Sequence, residues 1–247
     1  MIMKSMGMLN DKALALNSMN LLNFGYALFL LLNSQSKLSQ SEIEHIVKRW
    51  LALSAVTARY GSSPETTTEK DIKQFANGDP FENLASIERQ VLTEPFWNTM
   101  LPDDILVTSS STNNNAWRLF QMAQVKDHDV AWLEDFHKVE DLLREQGNVH
   151  HIFPRAYLKR YGFGKQAYNQ IANYILLTQS RNLLISDAAP VDYLHNSQVI
   201  KFSNEENWQA NGIPIEVKNM TYNAYYDFLF KRRRLIANRI RKYYESL

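Results

Sequence analysis

A chain of 247 residues, 45% apolar and 21% charged, has the composition of a folded globular protein and is long enough for one large domain or two small ones. Its 27 Lys and Arg against 26 Asp and Glu exclude a global electrostatic pull toward nucleic acid or membrane, so any such pull must be local. The absence of Cys excludes disulfide frameworks, Cys-ligated zinc, iron–sulfur clusters and thiol nucleophiles, and a cytoplasmic location is the default expectation.

In chain order, the most apolar stretch runs from Met19 to Leu32, interrupted by Asn20, Asn23 and Gly25. It falls short of the ~18 apolar residues of a membrane span, so a buried helix is expected. Read instead as a secretory leader, it would have Lys4 as its charged end, but Asn33-Ser34-Gln35-Ser36 offers no small-x-small cleavage site. Ser39…Glu42 and Thr66…Glu69 have the spacing of reciprocal helix caps. Ile43, Ile46, Val47, Trp50, Leu51 and Leu53 recur at helical spacing, predicting a helix from Ser39 to about Tyr60, stopped by Gly61-Ser62-Ser63-Pro64. Pro102 to Asn115 reads as a polar loop. A further helix is predicted over residues 130–146, with Trp132, Leu133, Phe136, Val139, Leu142 and Leu143 on its apolar side and an acidic opposite face.

The texture then changes. Between His150 and Ser186 there is no acidic residue, while Arg155, Lys159, Arg160, Lys165 and Arg181 are basic; the acids sit just upstream, from Asp127 to Glu145. A polyanion would prefer the basic half, although charge alone favours a solvated surface excess. Residues 149–152 and 174–177 read as two short strands with Gly162 and Gly164 in the loop between them. The pattern turns helical again through Asn182 and past Pro190. The last helix, about residues 222–244, mixes Phe228, Leu229, Leu235, Ile236 and Ile240 with Lys231, Arg232, Arg233, Arg234, Arg239, Arg241 and Lys242. Those cations either line a groove for phosphates or form the solvated face of a packed helix.

The chemistry concentrates in His150-His151-Ile152-Phe153-Pro154, followed by Asn173 and, nine residues on, Asn182. A neutral His accepts a proton from water near pH 7, and a divalent ion held by neighbouring donors offsets charge on a reacting phosphate. Adjacent strand residues point to opposite faces, so both His can serve one site only where the strand distorts or ends. His45, His128, His137 and His195 have no partners in sequence and read as structural, as do Trp50, Arg59 and Asp71.

The order His-His-x-x-Pro, Asn, then Asn resembles the HNH nucleases, whose site is a ββα-metal hairpin and helix. The resemblance implies His151 as general base, His150 and Asn182 as metal ligands, and Asn173 as the residue that orients His151. An amide oxygen at position 182 favours Mg²⁺ or Mn²⁺ over Zn²⁺. Val149 to Leu158, Ile171 to Thr178, Asn182 and Pro190-x-x-Tyr193-Leu194 are similar to the carboxy-terminal nuclease half of GmrSD-type modification-dependent restriction enzymes, and Arg49-Trp50, Arg59-Tyr60 and Asp71-Ile72 resemble its upstream helical region. The expected fold is therefore α+β and mainly α-helical: a helical domain over residues 1–145, then a ββα-metal domain over 146–247 with its motif near 148–196 and a basic carboxy-terminal helix.

The implied activity is metal-dependent cleavage of DNA in defence against foreign DNA. Arg155, Lys159, Lys165, Arg181, Arg233 and Arg234 are the candidate nucleic-acid contacts. The ParB-like domain that hydrolyses nucleoside triphosphates in that group has no counterpart in this sequence, so the chain is expected to be a fragment, a shortened relative, or one subunit whose partner supplies nucleotide sensing. A non-catalytic nucleic-acid-binding module and an RNA-cleaving enzyme with the same site are the alternatives.

Overall fold

Helix α1 (Met19–Gln35) turns Leu21, Phe24, Leu28 and Leu32 toward helix α2 (Gln40–Val56) and leaves Tyr26 and Leu30 exposed. It is a one-sided helix rather than a wholly buried one. Gly25 sets the approach of the pair, because a Cβ there would lie 2.6 Å from Leu51 Cδ2. The coordinates, a computed structural model, describe residues 2–9, 14–35, 37–109, 114–145 and 149–247.

The cap expected at Ser39 forms: Glu42 Oε2 accepts from the Ser39 N–H at 2.7 Å, and Ser39 Oγ accepts from the Glu42 N–H at 3.4 Å. Helix α2 ends at Val56, before the expected Tyr60, because Ala58 takes a left-handed φ of 49°. The second expected cap does not form. Helix α3 (Pro64–Phe75) starts two residues before Thr66, at Pro64, whose missing N–H is harmless in a first turn. Helix α4 (Pro80–Val91) follows, started by Asp79, whose side chain accepts from the Glu82 N–H.

A wide-turn π-helix, Phe96–Ile105, carries Pro102 inside it, so only the later part of the expected 102–115 loop is non-helical, and residues 110–113 lie outside the described ones. Helix α5 (Asn115–Lys126) is buried along most of its length. The helix expected over 130–146 shortens to α6 (Val139–Arg144). Ahead of it an antiparallel bridge joins Val130 to Lys138, and Leu133 adopts φ 63°, which turns Trp132 and Leu133 inward and leaves Phe136 67% exposed. The Asp141 carboxylate accepts from the Lys138 N–H and starts α6 there. Residue 146, the end of the expected helix, lies outside the described ones, as do residues 147 and 148.

Strand β1 (Val149–His151) and strand β2 (Tyr174–Leu176) pair antiparallel with His150 opposite Ile175 and His151 opposite Tyr174. Between them lie helix α7 (Arg155–Arg160) and a single helical turn, Lys165–Tyr168. Helix α8 (Gln179–Ile185) leaves β2 directly. Short turns, including helix α9 (Glu205–Ala210), lead to the last helix, α10 (Tyr225–Glu245). The fold is mainly helical with one small two-stranded sheet among the described residues.

Two main apolar clusters organise the molecule. One gathers the helices before residue 126; the other runs from Trp132 and Leu133 through Ile152, Phe153, Tyr168, Ile175 and Tyr193. Helix α10 belongs to both, giving Tyr225, Phe228 and Leu229 to the second and Ile236, Ala237, Ile240, Tyr243 and Tyr244 to the first. It therefore crosses the boundary expected at residue 145.

Candidate functional site

Strand β1 stops at His151, and Pro154, which has no N–H to give a ladder, follows within three residues. The chain bends there while one more backbone bond, from the Ile152 N–H to the Asn173 carbonyl at 2.8 Å, keeps it beside β2. This is the strand ending that two neighbouring His need if they are to face one site.

His150 is half-buried, and its Nε2 is shut away from solvent with no hydrogen-bond partner. Burial lowers the pKa of its ring, and the His151 ring lowers it further, which keeps a lone pair available at neutral pH. A buried, orphaned imidazole nitrogen is costly unless something fills it, and a divalent cation is a chemically suitable occupant. His151 also has its pKa pushed down by burial; the bond to Asn169 raises it and nearby Arg155 lowers it. Its Nε2 lies 3.0 Å from Asn169 Oδ1. With the amide oxygen accepting, the ring carries its proton on Nε2 and leaves Nδ1 as the basic nitrogen. Tyr174 and Tyr168 meet the ring edge-on, with centroids 5.2 and 6.3 Å away.

Asn173 is fully buried and saturated. Its Oδ1 accepts from the Phe153 N–H at 2.8 Å, and its Nδ2 donates to the carbonyls of Phe153 and Tyr168, both at 3.1 Å. Its bonds cross the loop to backbone groups, and none of them goes to the His151 ring. Instead it fixes the backbone two residues beyond His151, while Asn169 holds the ring. Asn169 escaped the sequence reading because an Asn in a loop carries no signal until the loop closes on its partner.

Asn182 lies in helix α8, which leaves β2 directly. Thr178 starts the helix by accepting from the Arg181 N–H, and the Asn182 N–H bonds back to the Thr178 carbonyl at 3.0 Å. The Thr178 hydroxyl also donates to Glu134 Oε1 at 2.6 Å, which docks the 130–138 turn against the helix start. Glu134, Asp135 and His137 lie close enough together to share a cation, but exposed acidic groups commonly cluster in this way without one.

The candidate nucleic-acid contacts divide. Arg155, Lys159 and Lys165 are exposed, with no ion pair among the described residues. Arg181 is largely covered, donating to the Gln198 carbonyl at 2.9 Å and lying 3.8 Å from Glu134. Arg234 forks onto Asp103 at 2.8 and 3.0 Å and lies over the Phe230 ring, and Arg233 is half-buried with its Nε orphaned. Along the rest of α10, Arg239 pairs with Asp127 and Asp129, Arg241 with Glu94 and Glu245, and Lys231 with Glu216 and Asp227. Much of this helix's charge is thus matched within the chain.

Of the four His expected to be structural, His45 and His195 are hydrogen-bonded, while His137 Nδ1 is buried with no hydrogen-bond partner. His45 Nδ1 lies 3.1 Å from the Leu247 carbonyl and His195 Nδ1 2.6 Å from that of Val191, while His128 and His137 lie near Glu140 and Glu134. Comparison with known proteins finds no matching family model, no matching curated protein and no matching solved structure. No helix among the described residues is long and apolar enough to cross a membrane.

Proposed function

We propose that this chain is a divalent-metal-dependent endonuclease that hydrolyses DNA phosphodiester bonds, serving in restriction of foreign DNA. The observation that carries the reading is the junction of two half-buried His at the end of β1, a saturated Asn173 opening the paired strand, and a helix bearing Asn182 leaving that strand directly.

In this reading His151 takes a proton from the attacking water at Nδ1, its ring held by Asn169 and kept neutral by burial. Asn173 keeps the peptide after His151 in place, so the ring meets the phosphate from a fixed position. His150 Nε2 and the Asn182 amide oxygen are the donors that would hold the ion, and a mixed N/O pair of this kind accepts Mg²⁺ or Mn²⁺. When bound, the ion supplies stabilisation of charge on the phosphorane and the leaving oxygen. Arg155, Lys159 and Lys165, exposed and without an ion pair among the described residues, are available to meet backbone phosphates. A domain or subunit that hydrolyses nucleoside triphosphates would supply regulation and the choice of modified DNA.

The test is cleavage of plasmid DNA, unmodified or carrying modified cytosine, with Mg²⁺, Mn²⁺ or EDTA. Wild type is expected to cut only with metal, and His151→Ala to lose at least about a hundredfold in rate while keeping its fold. Metal-independent cutting, or full activity in the variant, would refute the assignment. No cutting by wild type with salt-sensitive DNA binding intact would leave a non-catalytic binding module, and a parallel RNA substrate separates an RNA-directed enzyme.

A further inference from the structure

Four consecutive cations occupy α10 from Lys231 to Arg234, and of these Arg232 alone is wholly removed from solvent. Helical phase does this: Phe228 and Ile236 lie about one turn to either side on the same face, and both are buried. Phe228 belongs to one apolar cluster and Ile236 to the other, so Arg232 sits at their junction.

What it grips there is specific. Its Nη1 donates to the carbonyl of Ala172 at 2.9 Å and to that of Tyr174 at 2.6 Å, the residues on either side of Asn173. Its Nε and Nη2 are buried without partners, and no carboxylate among the described residues pairs with it. Burial pulls its pKa down to about 9. A cation held under these conditions is a poor source of stability, and an apolar side chain would fill the junction at lower cost. The one arrangement that an apolar side chain could not reproduce is the bridge across Asn173.

We propose that Arg232 is a positioning residue: by joining the carbonyls of Ala172 and Tyr174 it fixes the backbone on both sides of Asn173, and through the Asn173 amide it fixes the Phe153 peptide just beyond His151. The catalytic consequence rests on the reading of His151 as base; the clamp itself does not.

The test is amide hydrogen exchange in the full chain, comparing wild type, Arg232→Met, Arg232→Lys, Asn173→Ala and the Arg232→Met/Asn173→Ala double variant. The Phe153 N–H, which Asn173 Oδ1 accepts, is the probe, and the amides of α2 are the internal reference. Arg232→Met is expected to speed Phe153 exchange by about tenfold or more relative to α2, and Arg232→Lys, which keeps a charged donor on the same stem, by less. Added to Asn173→Ala, Arg232→Met should accelerate it no further, because both act through one bond. Where DNA is cut, kcat falls with KM unchanged. Phe153 exchange in Arg232→Met that changes no more than the α2 amides overturns the proposal. Should Arg232→Met fail to fold, Arg232→Lys is judged by the same ratio. A wild type that cuts no DNA removes the nuclease reading, while the exchange ratios still decide whether the clamp exists.

Discussion

Asp71 is wholly buried, and every group that faces it is a donor. Arg59 forks onto it through Nε at 2.8 Å and Nη2 at 2.6 Å, the Tyr60 hydroxyl donates to it at 2.9 Å, and Trp50 Nε1 donates in turn to that hydroxyl. The network ties the turn after α2 to α3. Asp71→Ala would leave the Arg59 charge largely covered and unpaired and the Tyr60 hydroxyl without its acceptor. A loss of about 3–5 kcal/mol is expected, read as a lower urea midpoint with an unchanged slope. A midpoint unchanged from wild type would mean that water replaces the carboxylate. Trp50, Arg59 and Asp71 were singled out as structural, and His150, His151 and Asn173 as candidate site residues, through the resemblance of their order to a known family. Arg232 was hidden at this scale because a run of four cations looks uniform until one asks which of them lies a helical turn from both Phe228 and Ile236. Asn169 was hidden for a different reason, since its bond to His151 depends on how the loop closes and not on any periodicity.

Between elements, Asp129 links the end of α5 to α10 through Arg239, 2.7 Å away. Its carboxyl is pushed up to about 6, first by burial and then by Asp127 and Glu206, against the pull of Arg239. The folded-state pKa lies above the unfolded value of about 3.9, so the folded chain binds more protons between those limits. This group's contribution therefore favours folding below about pH 4 and is lost as pH rises through about 6. Asp129→Asn removes that dependence. Its stability relative to wild type should rise between pH 4 and pH 6 and level off above, measured as the difference in urea midpoint at each pH; a difference that does not vary with pH would show that Arg239 fully offsets the burial. Elements were legible to unequal degrees. The hairpin was visible because its strands carry the β-branched and aromatic residues that suit a pleat. The helix expected over 130–146 failed because Leu133 takes a left-handed φ, which apolar spacing does not record. The acids read just upstream of the hairpin are in part a set of partners, with Glu134 near Arg181 and Asp127 and Asp129 on Arg239.

Across the whole molecule, α10 makes the two apolar clusters one mechanical unit. Its first turns fill the core behind the hairpin, its later turns fill the core of the amino-terminal helices, and Arg232 reaches sideways to β2 where the two meet. A sequence division at residue 145 cannot show this, because the helix that spans both cores lies at the far end of the chain. The arrangement predicts that damage to one core is felt in the other. Phe228 is fully buried, with its ring 4.9 Å from Phe153. Phe228→Ala should cost about 3–5 kcal/mol, through lost burial and the cavity left behind. If α10 couples the cores, amide protection in α2, which has no contact with Phe228 in its own cluster, falls by the same free energy as protection in β2, and unfolding stays a single transition by every probe. Protection lost in β2 but kept in α2 would instead mark the hairpin and its core as a separately opening unit, with α10 staying docked on the helical body while the candidate site opens.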